Sequence, residues 1–339
     1  MEHHQNTSPI IVAVDDGFAK TKVVCLDPEN RVELMMSSYA RTGLHGASYM
    51  NEAEEQVHPC YESDGQRFTV DENLHDVETA RFDGYPLSAM NRAIVNHAIR
   101  TAALKAPALL ERPLHLTTGL PLRAFYSNGK PNKDYIEKKK AALMQPIVSL
   151  DGSPMPRIAR HEVFAEGLAA WIDWAVDDQM KLREDALEMR VGIIDVGGRT
   201  TDVAVVLPGR QIDHVRSGSS EIGAHNVMET MKSELLKKFE VQVTQQQAEK
   251  AMSGQVKMWG KMTDVSDLAQ RAVRETSEMI LRDINRRLGG GADLDVVLLV
   301  GGGAHLFGCL SEVFRNIEIA PNPTFANARG FAKYLALQG

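Results

Sequence analysis

The chain has 339 residues, 43% of them hydrophobic, and a formal net charge of −7. This length predicts about two folded domains, and the acidic balance argues against a broad, non-specific DNA-binding surface, which has to be basic. No apolar run approaches the ~20 residues of a membrane-spanning helix, and the N-terminal segment lacks the apolar core of a signal peptide. The three cysteines (Cys25, Cys60 and Cys309) match no metal or disulfide spacing, which favours a reduced, cytoplasmic setting.

The first predicted element is a β-hairpin whose turn has the composition of an anion-binding site. Residues 11–24 read IVAVDDGFAKTKVV, which is an apolar strand, Asp15, Gly17, a polar turn and a second strand. Glycine lets the turn approach a ligand without a Cβ, and successive N–H groups in such a turn form a concavity for anions. A carboxylate beside a bound phosphate suits a hard cation such as Mg²⁺. The alternative is that Asp15 only caps the turn.

The rest of the first half is predicted to contain regular elements and one irregular surface insertion, Gly43–Asn73, rich in glycine, serine, asparagine and acidic residues, with room for short strands near Arg67–Val70. The regular elements are a strand at Arg31–Ser38, a helix at Ser88–Leu104, a strand at Leu114–Thr118, a basic helix at Lys133–Leu143, a strand at Arg157–Arg160 and a helix at His161–Trp174. Lysines 138–140 on the basic helix are interpreted either as a solvated face or as a contact for an acidic patch on a neighbouring subunit. A boundary is predicted near 185–190, because a second hairpin of the first kind begins there.

That second hairpin covers Val191–Leu207 and reads VGIIDVGGRTTDVAVVL. Shifting the chain by 180 residues aligns Asp15 with Asp195, Gly17 with Gly197, and Thr21 with Thr201. Two such turns, one in each half, predict a duplicated domain with a nucleotide clamped between the halves. Asp195 and Asp202 flank the second turn, where a cation would lie between carboxylate and phosphate. Taken alone, the stretch is also compatible with an ordinary hairpin that has a Gly-Gly turn.

The second half continues with helices and a glycine-rich loop. The predicted elements are a helix at Gly223–Phe239, a loop and short helix within Val241–Ala251, a long helix at Thr263–Leu288, a strand at Asp295–Val300 and a closing helix at Ala326–Leu337. The strand runs directly into Gly301, Gly302 and Gly303. A loop of this kind lets the backbone lie against a flat base or ribose.

Two Asp-x-Gly hairpins followed by a glycine turn resemble the superfamily of actins, heat-shock chaperones and hexokinases. Within it, the chain looks like the plasmid-segregation actins of the ParM/StbA family over nearly its whole length. The motifs that carry the resemblance are VDDGFAKTK (Val14–Lys22), TGLPLRAFY (Thr118–Tyr126), GKPNKDYIEKKKA (Gly129–Ala141), IIDVGGRTTD (Ile193–Asp202), SSEIGAHNV (Ser219–Val227) and VGGGAHL (Val300–Leu306). The resemblance implies an α/β, actin-like (ribonuclease H-like) fold with two duplicated lobes and a nucleotide cleft between them. The lobes would be residues 1–187, with a C-terminal helix at about 320–339 packed back on them, and residues 188–319.

The resemblance also implies residues that bind ATP and Mg²⁺, with GTP left open as a substitute. Asp15 and Asp195 are expected to hold Mg²⁺ through its water shell, and Lys22 to reach the β- and γ-phosphates. Donors to the phosphates are expected from Gly17, Gly197, Gly198, Thr200 and Thr201, and contacts to the base and ribose from Gly223, Gly301, Gly302 and Gly303. Phe18 departs from the serine or threonine of many relatives, so its phosphate contact would come from the backbone or be lost. Arg199 either adds charge at the phosphates or faces solvent.

The attacking water is expected to be oriented by a glutamate or glutamine. The family places this residue after the strand that precedes the last helix of the first half. With that strand predicted at Arg157–Arg160, Glu162 is the expected residue, and Glu166 is its rival. Asp202 is expected to point into the cleft and to help hold the water, so Glu162, Asp195 and Asp202 form the predicted catalytic set.

The leading hypothesis is an ATPase of the bacterial cytoplasm that stacks head-to-tail into a filament, since such a heterologous contact does not close. The resemblance implies that the filament moves plasmid DNA through a DNA-bound adaptor protein, without direct nucleic-acid or membrane contact, and that hydrolysis controls its disassembly. In such a chain, Gly43–Asn73 would belong to the subdomain that makes filament contacts, or it would be a loop without a partner. The alternatives are a small-molecule kinase, a monomeric ATPase switch, a chaperone with a further substrate domain, or a membrane-associated scaffold with an amphipathic anchor.

Overall fold

The computed structural model describes residues 8–48, 55–72, 74, 78–79 and 82–338. The strands are β1 (Ile10–Asp16), β2 (Lys20–Cys25), β3 (Val32–Ser37), β4 (Tyr39–Thr42), β5 (Gly46–Ser48), β6 (Glu55–Val57), β7 (Cys60–Ser63), β8 (Gln66–Val70), β9 (Glu78–Thr79), β10 (Leu114–Leu120), β11 (Tyr126–Ser127), β12 (Lys130–Pro131), β13 (Val148–Ser149), β14 (Ile158–Ala165), β15 (Val191–Val196), β16 (Thr201–Leu207), β17 (Gln211–Ile212), β18 (Gly218–Ser220), β19 (Gln255–Met258), β20 (Lys261–Asp264), β21 (Val296–Val300) and β22 (Ile317–Ile319). The α-helices are α1 (Ala89–Ala103), α2 (Ala108–Glu111), α3 (Leu122–Phe125), α4 (Lys133–Leu143), α5 (Leu168–Ala175), α6 (Ala224–Phe239), α7 (Gln245–Ala251), α8 (Ser266–Leu288) and α9 (Ala326–Ala336). Within these described ranges, no helix has the length and apolar character needed to cross a membrane.

The chain divides into two compact units, one of residues 1–186 and 325–339 and the other of residues 187–324. Each unit has its own apolar core of buried strand and helix residues. The last helix, α9, packs in the first unit against β1, β2, β10 and α5. Phe331 of α9 is completely buried there, beside Ala13 of β1 and Ala169 of α5.

The central sheet of the first unit has the strand order β14-β10-β1-β2-β3. β1 and β2 form the predicted hairpin and β3 continues it antiparallel, whereas β1, β10 and β14 run parallel. Since parallel strands end at the same edge of a sheet, the residues that follow β1, β10 and β14 lie at one edge.

The central sheet of the second unit repeats this arrangement with the order β22-β21-β15-β16-β17. β15 and β16 form the second hairpin, and β15, β21 and β22 run parallel. Hairpin and parallel neighbours therefore occupy the same places in both sheets, and the predicted duplicated α/β fold is confirmed.

Two predicted regions have a different structure. The described part of the predicted irregular insertion is more regular than expected: β8, which is the short strand predicted near Arg67–Val70, pairs antiparallel with β7 and β4. Residues 49–54 and 73 lie outside the described residues. In the second unit the hairpin β19–β20 precedes α8, so Thr263 lies in a strand and the helix predicted to begin there begins at Ser266.

The strand predicted at Arg157–Arg160 and the helix predicted at His161–Trp174 both exist, but the boundary predicted between them is wrong. The strand β14 continues to Ala165, because its parallel register with β10 extends to the pair Leu120 and Ala165. The helix α5 begins only at Leu168. This boundary decides which glutamate follows the strand.

Candidate functional site

The first hairpin brings a carboxylate, an ammonium group and a glycine together. Asp15 and Lys22 are cross-strand neighbours, and Nζ of Lys22 donates to Oδ2 of Asp15 at 2.9 Å. Both side chains are buried. A Cβ built on Gly17 would lie 3.6 Å from this ammonium group and 2.9 Å from the Lys20 carbonyl oxygen, so only glycine fits the turn. Three residues singled out in the sequence thus form one compact group.

Phe18 turns away from this group. Its ring lies 5.5 Å from that of Tyr85, and it packs against the buried core of the first unit. The carbonyl of Gly17 accepts a hydrogen bond from Ser38 Oγ at 2.7 Å, and Ser38 in turn contacts the hydroxyl of Thr21 at 2.9 Å. The side chain at position 18 therefore anchors the turn through apolar packing.

The edge of the same sheet places Glu166 directly after β14. The backbone N–H of Glu166 donates to the Leu120 carbonyl at 2.9 Å, at the end of β10. A Cβ built on Gly119 would lie 3.0 Å from Cγ of Glu166. The glutamate is thus held at the edge at which β1 also ends.

Glu162, in contrast, lies inside β14, opposite Thr117 of β10. Its carboxylate forms ion pairs with Lys140 at 2.7 Å and Arg160 at 3.0 Å. Burial opposes ionisation, but the hydrogen bonds from these two cations outweigh it and lower the pKa of Glu162 below its usual range. The strand boundary that pointed to Glu162 is wrong, and the residue that follows the strand is Glu166.

The second hairpin places two carboxylates opposite each other. Asp195 and Asp202 are cross-strand neighbours in β15 and β16, and both are buried. Asp202 accepts hydrogen bonds from Thr200 Oγ1 at 3.1 Å and from Ser219 Oγ. Like charges directly opposite each other in a sheet are destabilising. The pair is therefore a location that a cation would stabilise.

The turn of this hairpin is supported by the start of α6. The backbone N–H groups of Ala224 and His225 donate to the carbonyls of Gly197 and Gly198 at 3.0 and 2.8 Å. A Cβ built on Gly223 would lie 2.7 Å from the Gly197 carbonyl oxygen. Position 223 therefore requires glycine because its backbone packs closely against the Gly197–Gly198 turn of the hairpin.

The predicted hydroxyl donors of this turn have protein partners. The Thr201 hydroxyl donates to the Ile222 carbonyl at 2.7 Å, and that of Thr200 donates to Asp202. The guanidinium group of Arg199 lies 3.8 Å from Glu221. Backbone N–H groups thus remain the main phosphate donors to be expected from this turn.

The triple glycine closes over the second hairpin. Gly301 has a φ of +91°, and a Cβ on it would lie 2.3 Å from Oδ1 of Asp195. The N–H of Gly303 donates to the Val196 carbonyl at 2.8 Å. Gly301 and Gly303 are buried, whereas Gly302 is exposed. The loop after β21 therefore lies directly against Asp195.

A cavity of about 480 Å³ lies in the second unit, bordered by Leu306, three residues after the triple glycine. Its apolar wall is formed by Met252, Val273, Leu281 and Leu306, and its polar groups include Gln270, Arg274 and Ser277. Most of these residues lie on one face of α8. An apolar cavity with a few polar groups is the usual character of a small-molecule site.

Sequence reasoning missed the cavity and ended the strand before Glu162 instead of before Glu166, although a signal existed for each. Along β14 the residues His161, Val163 and Ala165 are buried in alternation, which is the period of a strand and not of a helix. For the cavity, the signal is on α8, where polar residues such as Gln270 and Ser277 lie beside the apolar stripe.

Two known families match successive parts of the sequence. The family described as "Plasmid segregation protein ParM, N-terminal" matches residues 10–176, and "Archaeal actin homologue MreB-like, C-terminal" matches residues 193–312. A search of curated proteins found no match.

Solved structures of actin-like proteins have the same fold. Ta0583, an archaeal actin homologue in complex with ADP, matches with a TM-score of 0.75 at 19% identity, covering 97% of this chain and 100% of its own. A 15-stranded ParM filament from Clostridium botulinum gives a TM-score of 0.71 at 17% identity, with coverages of 97% and 99%. ParM of Bacillus thuringiensis with ATP gives 0.64 at 15% identity, with the same coverages. The predicted actin-like fold is confirmed.

Proposed function

Since the chain is an actin-like protein of the ParM type, we propose that it binds ATP with Mg²⁺, assembles head-to-tail into a filament and hydrolyses the nucleotide to control disassembly. The main support for the proposal is that the same hairpin arrangement occurs in both units. In each central sheet, a hairpin with a buried carboxylate and a glycine turn occupies the same position beside parallel strands.

The phosphates would be bound by the turns of the two hairpins. Lys22 supplies a buried positive charge beside Gly17, and this ammonium group can exchange Asp15 for a phosphate oxygen. The turn after Gly197 supplies backbone N–H groups from Gly198 onward, since the N–H of Gly197 donates to the Thr200 carbonyl at 2.9 Å. These are the contacts that neutralise charge in phosphoryl transfer.

Mg²⁺ would be held by Asp15 and Asp195 through its water shell. Among the described residues, no three His, Cys, Asp or Glu side chains cluster as direct metal ligands. Mg²⁺ commonly uses one or two carboxylates, several waters and the phosphates of its substrate. When bound, Mg²⁺ neutralises the charge that develops on the phosphate oxygens. A bound cation would stabilise Asp195 more than Asp15, because Asp195 lies opposite the carboxylate of Asp202 whereas Asp15 is paired with Lys22.

The base would enter the cavity beside Leu306. Its volume accommodates a purine and part of a ribose. Leu306 in its wall follows the triple glycine, and Gly301 of that glycine run lies against Asp195. Apolar side chains on either side would stack on the base, whereas Arg274 and Ser277 offer polar contacts. Preference for ATP or GTP would depend on these contacts.

Filling the cavity is expected to lower ADP affinity at least 10-fold, because the ring of Ser277→Phe would occupy the space proposed for the base. Isothermal titration with ADP measures the effect, with Met279→Phe as the matched control, since Met279 lies on the exposed side of the same helix. Equal affinities of the two variants would place the base elsewhere.

The attacking water would be oriented by Glu166, with Asp202 as its partner from the second hairpin. Glu166 directly follows β14, where the family carries its glutamate or glutamine. Glu162 is not proposed for this role, because its carboxylate is already engaged by Lys140 and Arg160.

The biological role that we propose is plasmid segregation in the bacterial cytoplasm. Its support is the family match over residues 10–176 and the ParM filament among the similar structures. In this role a DNA-binding adaptor links the filament to a plasmid, so the acidic chain itself needs no DNA-binding surface.

Right-angle light scattering after addition of Mg-ATP tests this function. A rise in scattering, followed by a fall as ATP is consumed, is the expected result. Hydrolysis without any rise over a range of protein concentrations would contradict filament assembly and would favour a monomeric ATPase switch. Absence of both nucleotide binding and hydrolysis would contradict the proposal as a whole.

A further inference from the structure

Lys139 is a buried lysine on the basic helix α4. Its side chain is 1% exposed, whereas the preceding Lys138 is exposed. An ammonium group is almost never fully buried unless it is paired, because its desolvation is costly. The hydrogen-bond partners of Lys139 therefore show which parts of the structure the buried ammonium group holds together.

Those partners belong to the edge of the central sheet. Nζ of Lys139 donates to both carboxylate oxygens of Asp16, at 3.0 and 2.9 Å, and also to the carbonyl of Gly119. Asn91 of α1 adds a hydrogen bond to Asp16 Oδ2 at 2.7 Å. One ammonium group thus connects the last residue of β1 with the end of β10.

Asp16 is distinct in function from its neighbour Asp15. Successive side chains of a strand point to opposite faces, so Asp15 reaches Lys22 on one face while Asp16 reaches α4 and α1 on the other. Asp16 also directly precedes Gly17, where the phosphate-binding turn begins. Any displacement of Asp16 would move that turn.

Gly119 gives Lys139 a second connection to the site. Its Cα lies so close to Glu166 that a Cβ would be 3.0 Å from the Glu166 Cγ. Lys139 thus contacts both Asp16, which precedes the phosphate-binding turn, and Gly119, which lies beside the proposed water-orienting residue.

We propose that Lys139 is a positioning residue for nucleotide hydrolysis, which sets the phosphate-binding turn at Gly17 relative to Glu166. The proposal rests on the proposed function. It assigns the consecutive lysines of α4 separate roles, with Lys139 buried at the site, Lys140 paired with Glu162 on β14, and Lys138 in solvent. Of the two interpretations of these lysines from the sequence, a solvated face or a contact for a neighbouring subunit, both now apply only to Lys138.

The test compares Lys139→Met with Lys138→Met, the same change one position away on the same helix. We expect Lys139→Met to raise the Kd for ADP at least 5-fold and to lower kcat at least 10-fold, whereas Lys138→Met leaves both within 2-fold of the wild type. Both are measured at a temperature at which circular dichroism shows each variant to be folded. If Lys139→Met is folded and its Kd and kcat are unchanged, the Lys139–Asp16 ion pair has only a structural role and the proposal is overturned.

Asp16→Asn provides the second variant, since it keeps the shape of the side chain if Lys139→Met fails to fold. It is expected to lower kcat at least 5-fold, and in the double variant the two effects should be less than multiplicative because both changes remove the same pair. Unchanged kcat in Asp16→Asn, or fully multiplicative effects, would contradict the proposal. Wild-type protein that binds no ADP would instead disprove the proposed function.

Discussion

Replacing Glu166 with alanine is expected to lower the rate of ATP hydrolysis by about 10²-fold or more, the usual contribution of a residue that handles the proton of the attacking group. Glu166 follows β14 at the edge where β1 and β10 also end, beside Gly119. Because Glu166 is proposed to act only on the attacking water, ATP binding and assembly are expected to persist. Light scattering should rise with Mg-ATP and then stay high, because the step that weakens the filament is slowed.

Glu162→Ala is the matched control for this experiment. It removes a carboxylate from the strand that Glu166 follows but breaks only the ion pairs with Lys140 and Arg160, which lie near the surface and contribute little to stability. Its hydrolysis rate should remain within a few-fold of the wild-type rate. A large loss in Glu162→Ala together with a normal rate in Glu166→Ala would reverse the assignment of the water-orienting residue.

Asp195→Asn is expected to lower the affinity for Mg-ADP about 100-fold. The carboxylate lies under Gly301 and opposite Asp202, so it is the group of the second hairpin that a hydrated Mg²⁺ would contact. In differential scanning calorimetry, ADP at 100 times its wild-type Kd should stabilise the wild-type protein by about 2.7 kcal/mol, and most of this stabilisation should be absent in the variant.

The nucleotide-free variant provides the decisive comparison. Because Asp195→Asn removes one of two facing negative charges, the unfolding temperature of this variant without ligand should equal or exceed that of the wild type. Asp267→Asn, a change at an exposed position on α8, should retain the full response to Mg-ADP. A wild-type response to Mg-ADP in Asp195→Asn would show that this carboxylate does not hold the metal.

The hairpins and the glycine turns followed from the sequence because they are local. In Val191–Leu207, β-branched residues on either side of Gly197 and Gly198 specify two strands and a turn without reference to the rest of the chain. The repeat after 180 residues then indicated the duplication that the two sheets display. Lys22 was identified through the family resemblance, and its partner Asp15 lies across the same hairpin.

Tertiary structure alone decided the features that depend on distant partners. β14 ends at Ala165 because β10 continues to pair with it, and that pairing is what places Glu166 and not Glu162 after the strand. Lys139 lies on the buried face of α4 with Ile136 and Leu143, but its burial depends on Asp16, 123 residues away in sequence, which compensates its charge. The cavity likewise combines the end of α7, α8 and the loop after β21. Local sequence determines where strands turn, whereas the burial of charge and the ends of paired strands depend on the free energy of contacts that form only in the folded chain.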